Sequence, residues 1–217
     1  MNFSFEVIEE FWMLLLSGVP IILILSLLSA FFGTVVGLLS VFLRRINKVF
    51  NFIVAAYIDL FRGTPVYVQL FFVYYGIPGL FGFNIDNMVA AVIVFSLNSG
   101  AYMSEIIRAG IDGVDSGQIE AAKALGVSGK DIAKDIIIPQ AFRNVLPAVI
   151  NEFITLTKET SVISAIGLHD MMYWFYAVKN QTYADFEPLL LVFIVYYIMN
   201  KILSMIGKFI ERKLKYD

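Results

Sequence analysis

The chain has 217 residues, of which 59% are hydrophobic and 16% charged, with a formal net charge of −2 and a mean hydropathy of +0.78. No ordinary soluble domain of this length is so apolar, and the composition predicts an all-α integral membrane protein. The absence of cysteine excludes disulfides, thiolate metal sites and cysteine nucleophiles.

Five segments are predicted to cross the membrane, since an α-helix needs about 20 apolar residues to span about 30 Å of hydrocarbon. They cover residues 21–43, 49–76, 87–108, 144–167 and 188–207. Residues 11–17 are expected to form an interfacial lead-in, divided from the first span by Gly18 and Pro20. Within that span Gly33 and Gly37 form a GxxxG-like pattern, which favours close helix packing. No basic residue precedes the first apolar run, so a cleaved signal peptide is not expected.

The positions of the basic residues predict the orientation of the chain. Of the 16 lysines and arginines, 12 follow the first span, flank the loop between the third and fourth spans, or lie in the C-terminal tail. These are Arg44, Arg45, Lys48, Arg108, Lys123, Lys130, Lys134, Arg143, Lys208, Arg212, Lys213 and Lys215. On the opposite side only Lys179 is predicted. Because basic residues concentrate in cytoplasmic segments, we expect the N-terminus outside and the C-terminus in the cytoplasm.

The second span contains charged and helix-breaking residues. Asp59 and Arg62 are three positions apart and can pair on one helix face, so a structural ion pair is one explanation for them. The other is a functional site, because charge at membrane depth is costly. Pro65 cannot donate to the carbonyl of Phe61 and Gly63 weakens the same turn, so the helix is predicted to break there. Such breaks expose backbone groups that can bind ions and zwitterions.

The loop between the third and fourth spans, residues 109–142, is the longest predicted cytoplasmic segment and is amphipathic. Ser116 is expected to cap a first short helix that ends at Gly126. Ser128 is expected to begin a second helix, which Pro139 terminates. The two helices would form a compact projection beneath the membrane. Periodicity alone does not distinguish a docking element from a surface hairpin.

The spacing within this loop resembles a known motif. Glu120-Ala121-Ala122, then Gly126 after three residues, then Ile136-x-Ile138-Pro139 after nine more, resemble the EAA loop of ABC importer permease subunits. Ile138 stands where the family usually has leucine, a volume-conserving change. The resemblance implies a type I ABC importer permease fold with cytoplasmic coupling helices. In such a fold a separate ATPase subunit would contact Glu120, Ala121, Ala122, Gly126, Ile138 and Pro139.

The chain is not expected to be an enzyme. Gly126 and Gly129-Lys130 look superficially like a phosphate loop but lack its GxxxxGK[ST] spacing and hydroxyl. We therefore expect no cofactor in this chain, with ATP and Mg bound by the partner ATPase.

A second resemblance covers the membrane spans. Arg62-Gly63-Thr64-Pro65, followed by Gln69, resembles the RGTP segment of permeases for polar amino acids, and Asn98 to Tyr102 with Glu105 continue it. Lys158-x-Thr160-Ser161 resembles the segment that lines the translocation path in that family. The substrate-binding candidates are Asp59, Arg62, Gly63, Thr64, Gln69, Asn98, Glu105, Glu152, Thr155, Lys158, Glu159, Thr160 and Ser161.

Acidic residues exceed basic ones within the presumed bilayer. They are Asp59, Glu105, Glu152 and Glu159, against Arg62 and Lys158. The excess predicts a basic amino acid such as arginine, lysine or histidine as substrate, with glutamine, glutamate or another polar amino acid as the alternative. Lys158 either meets the substrate carboxylate or pairs with Glu152 or Glu159 to stabilise packing.

The resemblance also implies the cellular setting. We expect a multi-pass protein of a bacterial or archaeal inner membrane that pairs with a second permease copy or a paralogue. An extracytoplasmic solute-binding protein would deliver substrate, and no nucleic-acid partner is expected.

Two other functional classes fit less well. A secondary transporter would show inverted repeats, and none is visible. An intramembrane protease needs a nucleophile with a base, but His169 is predicted outside the bilayer, distant from Ser96 and Ser99, and is interpreted as surface or gate-lining. The aromatic residues 173–176 after it are predicted to form an interfacial belt, or to help seat the binding protein.

Overall fold

The computed structural model describes the backbone of residues 5–216 and the side chains of residues 5–213. Every regular element in this part of the chain is helical, which confirms the predicted all-α class. The α-helices are α1 (Phe5–Leu16), α2 (Val19–Leu43), α3 (Lys48–Gly63), α4 (Val66–Phe71), α5 (Ile77–Phe81), α6 (Asn87–Asp112), α7 (Ser116–Ala124), α8 (Gly129–Asp131), α9 (Ile138–Glu159), α10 (Met171–Thr182) and α11 (Phe186–Tyr216). Two π-helical turns, Phe72–Gly76 and Ile132–Ile137, and a 3-10 helix, Thr160–Ile166, join some of them. The side chain of Lys215 lies outside the described residues.

Three stretches of the described residues are long and apolar enough to span a membrane: Phe5–Leu43, Asn87–Asp112 and Phe186–Lys213. The bent pair Lys48–Gly63 and Val66–Phe81 makes a fourth if it is counted as one broken span. Most of the fourth predicted span lies in α9, which is long enough but carries the charged residues Arg143, Glu152, Lys158 and Glu159. The count of five spans therefore stays a prediction.

Helices α2 and α6 form the most extensive helix contact, and glycines bring them together. A Cβ added to Gly33 would lie 2.9 Å from the Cβ of Ser99, and one added to Gly37 would lie 2.7 Å from the Cβ of Met103. From the other side, a Cβ on Gly100 would lie 2.6 Å from a methyl carbon of Val36. Close approach at small residues is the basis of helix association in lipid, so the predicted GxxxG-like contact is confirmed.

The buried side chains form two main clusters. Around Phe95, residues of α2, α4, α6, α9 and the 3-10 helix meet in one cluster. In the other, Leu15 and Ile22 pack against Met171 and Phe175, which joins α1 and α2 to α10 and α11. The predicted interfacial lead-in is thus part of a longer helix, α1, that is held against the rest of the protein.

Pro139 does not terminate the second loop helix, contrary to the sequence prediction. The chain continues from α8 through the π-helical turn Ile132–Ile137 into α9, and Pro139 lies in the first turn of α9. Proline is tolerated at such a position because its fixed φ suits a helix start and its missing N–H falls where the hydrogen-bond register changes. Because the second loop helix continues into α9, the segment that separates α6 from this continuous helix is shorter than the predicted loop, residues 109–142.

Candidate functional site

The loop between α6 and α9 folds as short helices around a glycine turn. Gly126 adopts a φ of +77°, in the left-handed region that favours glycine. The N–H of Val127 then donates to the carbonyl of Ala122 at 3.1 Å, which closes the end of α7. Ser128 caps the next helix as predicted, accepting a hydrogen bond from the N–H of Asp131 at 3.2 Å.

The cap of α7 differs from the prediction by one residue. Asp115, and not Ser116, is the cap, and its Oδ1 accepts a hydrogen bond from the N–H of Gly117 at 2.7 Å. A carboxylate at this position also meets the positive end of the helix dipole, which favours aspartate over the neighbouring serine.

Most predicted coupling residues are exposed at the tip of this loop. We define the coupling surface as Glu120, Ala121, Leu125, Gly126, Ile138 and Pro139, all of which are exposed. Leu125, which the motif comparison missed, is 83% exposed. Ala122 is buried instead and packs inside the loop. Exposed apolar side chains among charged ones are typical of a protein contact surface.

One hydrogen bond joins α7, which carries part of the coupling surface, to α9. Gln140, in the first turn of α9, donates from Nε2 to Oε1 of Gln118 on α7 at 2.8 Å. Because the π-helical turn and α9 continue without interruption from α8, a displacement of the surface would also displace α9.

The predicted break in the second span is confirmed. Helix α3 ends at Gly63, Thr64 is extended, and the following helical segment Val66–Phe81, which begins with α4, is turned by 108° from α3. The carbonyl of Phe61 at the break accepts hydrogen bonds from Nε2 of Gln69 at 2.9 Å and from Nδ2 of Asn98 at 3.1 Å. Gln69 also donates to the carbonyl and hydroxyl of Thr64. These acceptors, expected to be available to a ligand, are therefore already bonded within the protein.

Two glutamates form an acidic cluster on α9. Glu152, Thr155 and Glu159 share one helix face by their spacing, and all three are half-buried. The carboxylate of Glu152 is near the hydroxyl of Ser99 on α6 without forming a hydrogen bond to it, and Glu159 lies close enough to Glu152 and Lys158 to interact with their charges. Among the described side chains neither glutamate makes an ion pair within 4.0 Å. The acidic cluster (Ser99, Glu152, Thr155, Glu159) is thus suited to a cation.

The remaining candidates on this segment lie elsewhere. Lys158 and Ser161 line a cavity of about 470 Å³ with Tyr196 and Asn200 of α11, and the proposed packing pair of Lys158 with a glutamate is not formed. Thr160 is fully buried, and its hydroxyl donates to the carbonyl of Thr157 at 3.2 Å. The change to a 3-10 helix after Glu159 alters which side chains share a face, so Thr160 does not join the acidic cluster.

Asp59, Arg62, Gly63 and Glu105 line a separate cleft of about 470 Å³ together with Arg44 and Tyr102. We call it the arginine cleft. The ion pair that was one explanation for Asp59 and Arg62 is absent from the described side chains, and the guanidinium carbon of Arg62 instead lies 5.3 Å from the ring centroid of Tyr102. Apart from the buried Thr160, the structure therefore divides the substrate-binding candidates among the helix break, the acidic cluster, the α9–α11 cavity and the arginine cleft.

Comparison with known proteins places this geometry in a family. Residues 31–216 match the family described as "Binding-protein-dependent transport system inner membrane component". The chain belongs to this family. It is a membrane-embedded transport component and not the catalytic subunit of its system.

Similar proteins include curated permeases and solved transporters. The chain is 46% identical over 216 residues to the "Arginine transport system permease protein ArtQ" of Bacillus subtilis, covering 99% of each protein. It is 39% identical over 214 residues to the "Putative glutamine transport system permease protein GlnP" of Rickettsia conorii, covering 97% of this chain and 98% of the relative. A structure described as "an amino acid ABC transporter with histidines" matches with a TM-score of 0.93 at 36% identity, covering 98% of this chain and 100% of that one. The MetNI methionine ABC transporter matches in fold, with a TM-score of 0.78 at 22% identity over 95% of this chain and 98% of that chain. The type I importer permease fold is thereby shown.

Several residues of this permease were missed as site residues by motif comparison. Ser99, Arg44 and Tyr102 contribute to the acidic cluster or the arginine cleft only because α2, α3, α6 and α9 pack together. Arg44, for example, reaches Glu105 from 61 positions away at 3.1 Å. No local spacing signals such a contact.

The segment before α11 presents a capped, aromatic-rich helix. His169 is exposed, as predicted, and its ring stacks on Tyr173 with centroids 4.1 Å apart. Asp170 is fully buried at the start of α10, where its Oδ1 accepts a hydrogen bond from the N–H of Tyr173 at 2.8 Å. Burial raises the pKa of Asp170 to about 6, against the opposing effect of that hydrogen bond. Phe175, predicted in the aromatic belt, is instead buried in the core, while Tyr176 is half exposed.

Proposed function

We propose that this permease forms one half of the translocation pathway of an ATP-driven amino-acid importer. A cytoplasmic ATPase subunit, which would bind ATP and Mg, docks on the coupling surface, and a second copy or a paralogue completes the pathway. The observation that carries this proposal is the coupling surface, where Leu125 and Ile138 are exposed. The loop that presents them consists of capped short helices joined by a turn at Gly126. Closure of the ATPases would move this surface and, through Gln118 and Gln140, α9.

The proposed cargo is a cationic amino acid. In the acidic cluster Glu152 and Glu159 stand on one face of α9 without an ion pair among the described residues. A half-buried pair of carboxylates attracts a cation, because the positive charge offsets the repulsion between the two negative charges. The relatives named for arginine and for glutamine, and the transporter solved with histidines, agree with amino-acid transport. Glutamine is the alternative cargo.

Within the acidic cluster, we propose that Glu152 and Glu159 hold the cationic side chain and that Thr155 and Ser99 supply hydrogen bonds. In this arrangement Asn98 and Gln69 act by holding the helix break, since their amides bond to Phe61 and to each other. Lys158 faces α11 and is assigned no direct contact with the cationic group.

The proposed orientation places the coupling surface in the cytoplasm, with the N-terminus outside and the C-terminus inside an inner membrane. An extracytoplasmic binding protein would then meet α10 and its exposed His169–Tyr173 stack. The distribution of basic residues supports this orientation.

The test is reconstitution of the permease with its neighbouring ATPase and binding protein in proteoliposomes. Uptake of labelled arginine, lysine, histidine, glutamine and glutamate is measured with ATP inside the vesicles. We expect ATP-dependent uptake, fastest for a cationic amino acid. Uptake of glutamine alone would replace the cargo but keep the importer, whereas ATP-independent uptake or none would refute the proposed function.

A further inference from the structure

The arginine cleft is a polar cavity distinct from the acidic cluster. It lies between α3 and α6, and Glu105 in its wall is seven residues beyond Asn98 toward the coupling loop, about 10 Å along the helix. Its volume of about 470 Å³ is sufficient for a small polar metabolite. The acidic cluster sits on a different pair of helices, α9 and α6.

Part of the charge in the arginine cleft is already paired. Glu105 accepts a hydrogen bond from Arg44 at 3.1 Å through one oxygen and from Arg108 at 2.6 Å through the other. Arg108 in turn reaches Asp112 at 3.3 Å, and Arg44 also donates to Asn51 at 3.0 Å. These groups form a network that holds α2, α3 and α6 together at this end.

Two opposite charges in the same cleft are left over. Asp59 and Arg62 are one turn apart on α3, and neither forms an ion pair within 4.0 Å in the part of the chain that has described side chains. The guanidinium carbon of Arg62 lies 5.3 Å from the ring centroid of Tyr102, and no ion pair among the described side chains occupies its N–H groups. Both residues are exposed to the cleft.

A cation and an anion on one wall match the two charges of an amino-acid main chain. A guanidinium binds a carboxylate with two parallel hydrogen bonds, and a carboxylate accepts from an ammonium group. We propose that the arginine cleft is a second amino-acid site, in which Arg62 binds the α-carboxylate and Asp59 the α-ammonium group of the zwitterion. Because only main-chain groups are recognised, this site accepts amino acids with many different side chains. It binds the amino acid at a second position, between the acidic cluster and the end of the protein that carries the coupling loop.

This inference rests on the proposed function, because only an amino-acid permease would bring that ligand to the cleft. The test counts sites by equilibrium dialysis of labelled arginine against the purified permease–ATPase complex in lipid nanodiscs, without binding protein, up to saturation. The expected result for the wild type is two arginines per permease chain. Arg62→Gln and Asp59→Asn should each bind one, or bind the second about tenfold more weakly or worse, since each loses a charge-assisted pair.

The matched control is Arg45→Gln, which removes a neighbouring exposed arginine that does not line the cleft and should keep two sites. One arginine per chain in the wild type, or two that both bind Arg62→Gln with wild-type affinity, would overturn the second site while leaving the importer intact. No arginine bound to the wild type, together with no uptake in proteoliposomes, would overturn the proposed function as well.

Ligand analogues test the assignment of the two groups. Agmatine lacks the carboxylate and N-acetylarginine lacks the ammonium group, so each should compete for the cleft about tenfold more weakly than arginine. In Arg62→Lys the charge is kept but the bidentate hydrogen bonding to the carboxylate is lost, so the second arginine should bind with an affinity between those of the wild type and Arg62→Gln. Competition by inorganic phosphate as strong as by arginine would identify a general anion site and contradict the proposal.

Discussion

The side-chain amide of Asn98 on α6 donates a hydrogen bond to Oε1 of Gln69 on α4 at 3.0 Å. Both amides also donate to the carbonyl of Phe61, the acceptor left open by the break before Pro65. A sharply broken helix needs such partners, because an unsatisfied carbonyl in an apolar setting is costly. Asn98 therefore anchors the bend between α3 and α4.

Removal of that anchor should destabilise the permease. Asn98→Ala leaves the half-buried Oε1 of Gln69 and part of the Phe61 carbonyl without a donor, at an expected cost of about 1–3 kcal/mol in the free energy of unfolding. Thermal unfolding of the complex in nanodiscs measures the change. Asn180→Ala, at an exposed position on α10, is the matched control. Equal midpoints for the two variants would show that the amide network does not support the bend.

The glycine contact between α2 and α6 makes a prediction about packing. Gly37→Ala would bring a Cβ to 2.7 Å from the Cβ of Met103, so the helices must separate or shift, at a cost of about 1–3 kcal/mol. Gly79→Ala adds the same methyl group where no atom lies within 4 Å and should have little effect. Thermal unfolding distinguishes the two, and an unchanged midpoint for Gly37→Ala would refute the close contact.

Features that depend on neighbouring residues could be predicted from the sequence, whereas contacts between distant helices could not. The glycine spacing predicted a close-packing face on α2 but not its partner α6, and the proline and glycine before residue 66 predicted the break, because both depend on backbone properties of neighbouring residues. Of the two explanations left open for Asp59 and Arg62, the ion pair is not formed, because Tyr102, from another helix, offers Arg62 an aromatic face. Glu105 with Arg44 could not be inferred, since that contact exists only after α2 and α6 have packed.

The coupling surface predicts a separation between substrate binding and ATPase association. Leu125→Asp places a charge at the most exposed apolar position of that surface and should weaken co-purification of the ATPase and abolish uptake. Arginine binding by the permease should be unchanged, because the acidic cluster is remote in the structure. Leu125→Met keeps the apolar volume and should retain both activities. Normal uptake by Leu125→Asp would remove Leu125 from the coupling surface.

The acidic cluster predicts a charge-dependent selectivity. Glu152→Gln keeps the shape of the side chain and removes its charge, so the affinity for arginine should fall about tenfold or more, while that for glutamine should change little. Uptake competition between arginine and glutamine measures the ratio. Glu211→Gln, outside the cluster on α11, is the control. A parallel loss for both amino acids would indicate a structural role for Glu152.

Asp170 predicts that stability depends on pH at the start of α10. Burial raises its pKa from 3.8 to about 6 in the folded protein, so between these values the folded state holds a proton that the unfolded state has lost. Stability therefore falls as pH rises from about 4 to 6, and a penalty of about 3 kcal/mol remains above pH 6. Asp170→Asn keeps the cap to Tyr173 without the charge. It should unfold at a higher temperature than wild type at pH 8 and at nearly the same temperature at pH 4. Asp185→Asn, which removes an exposed partner of Lys179, should show no such rise, and a lower midpoint for Asp170→Asn at pH 8 would refute the buried charge.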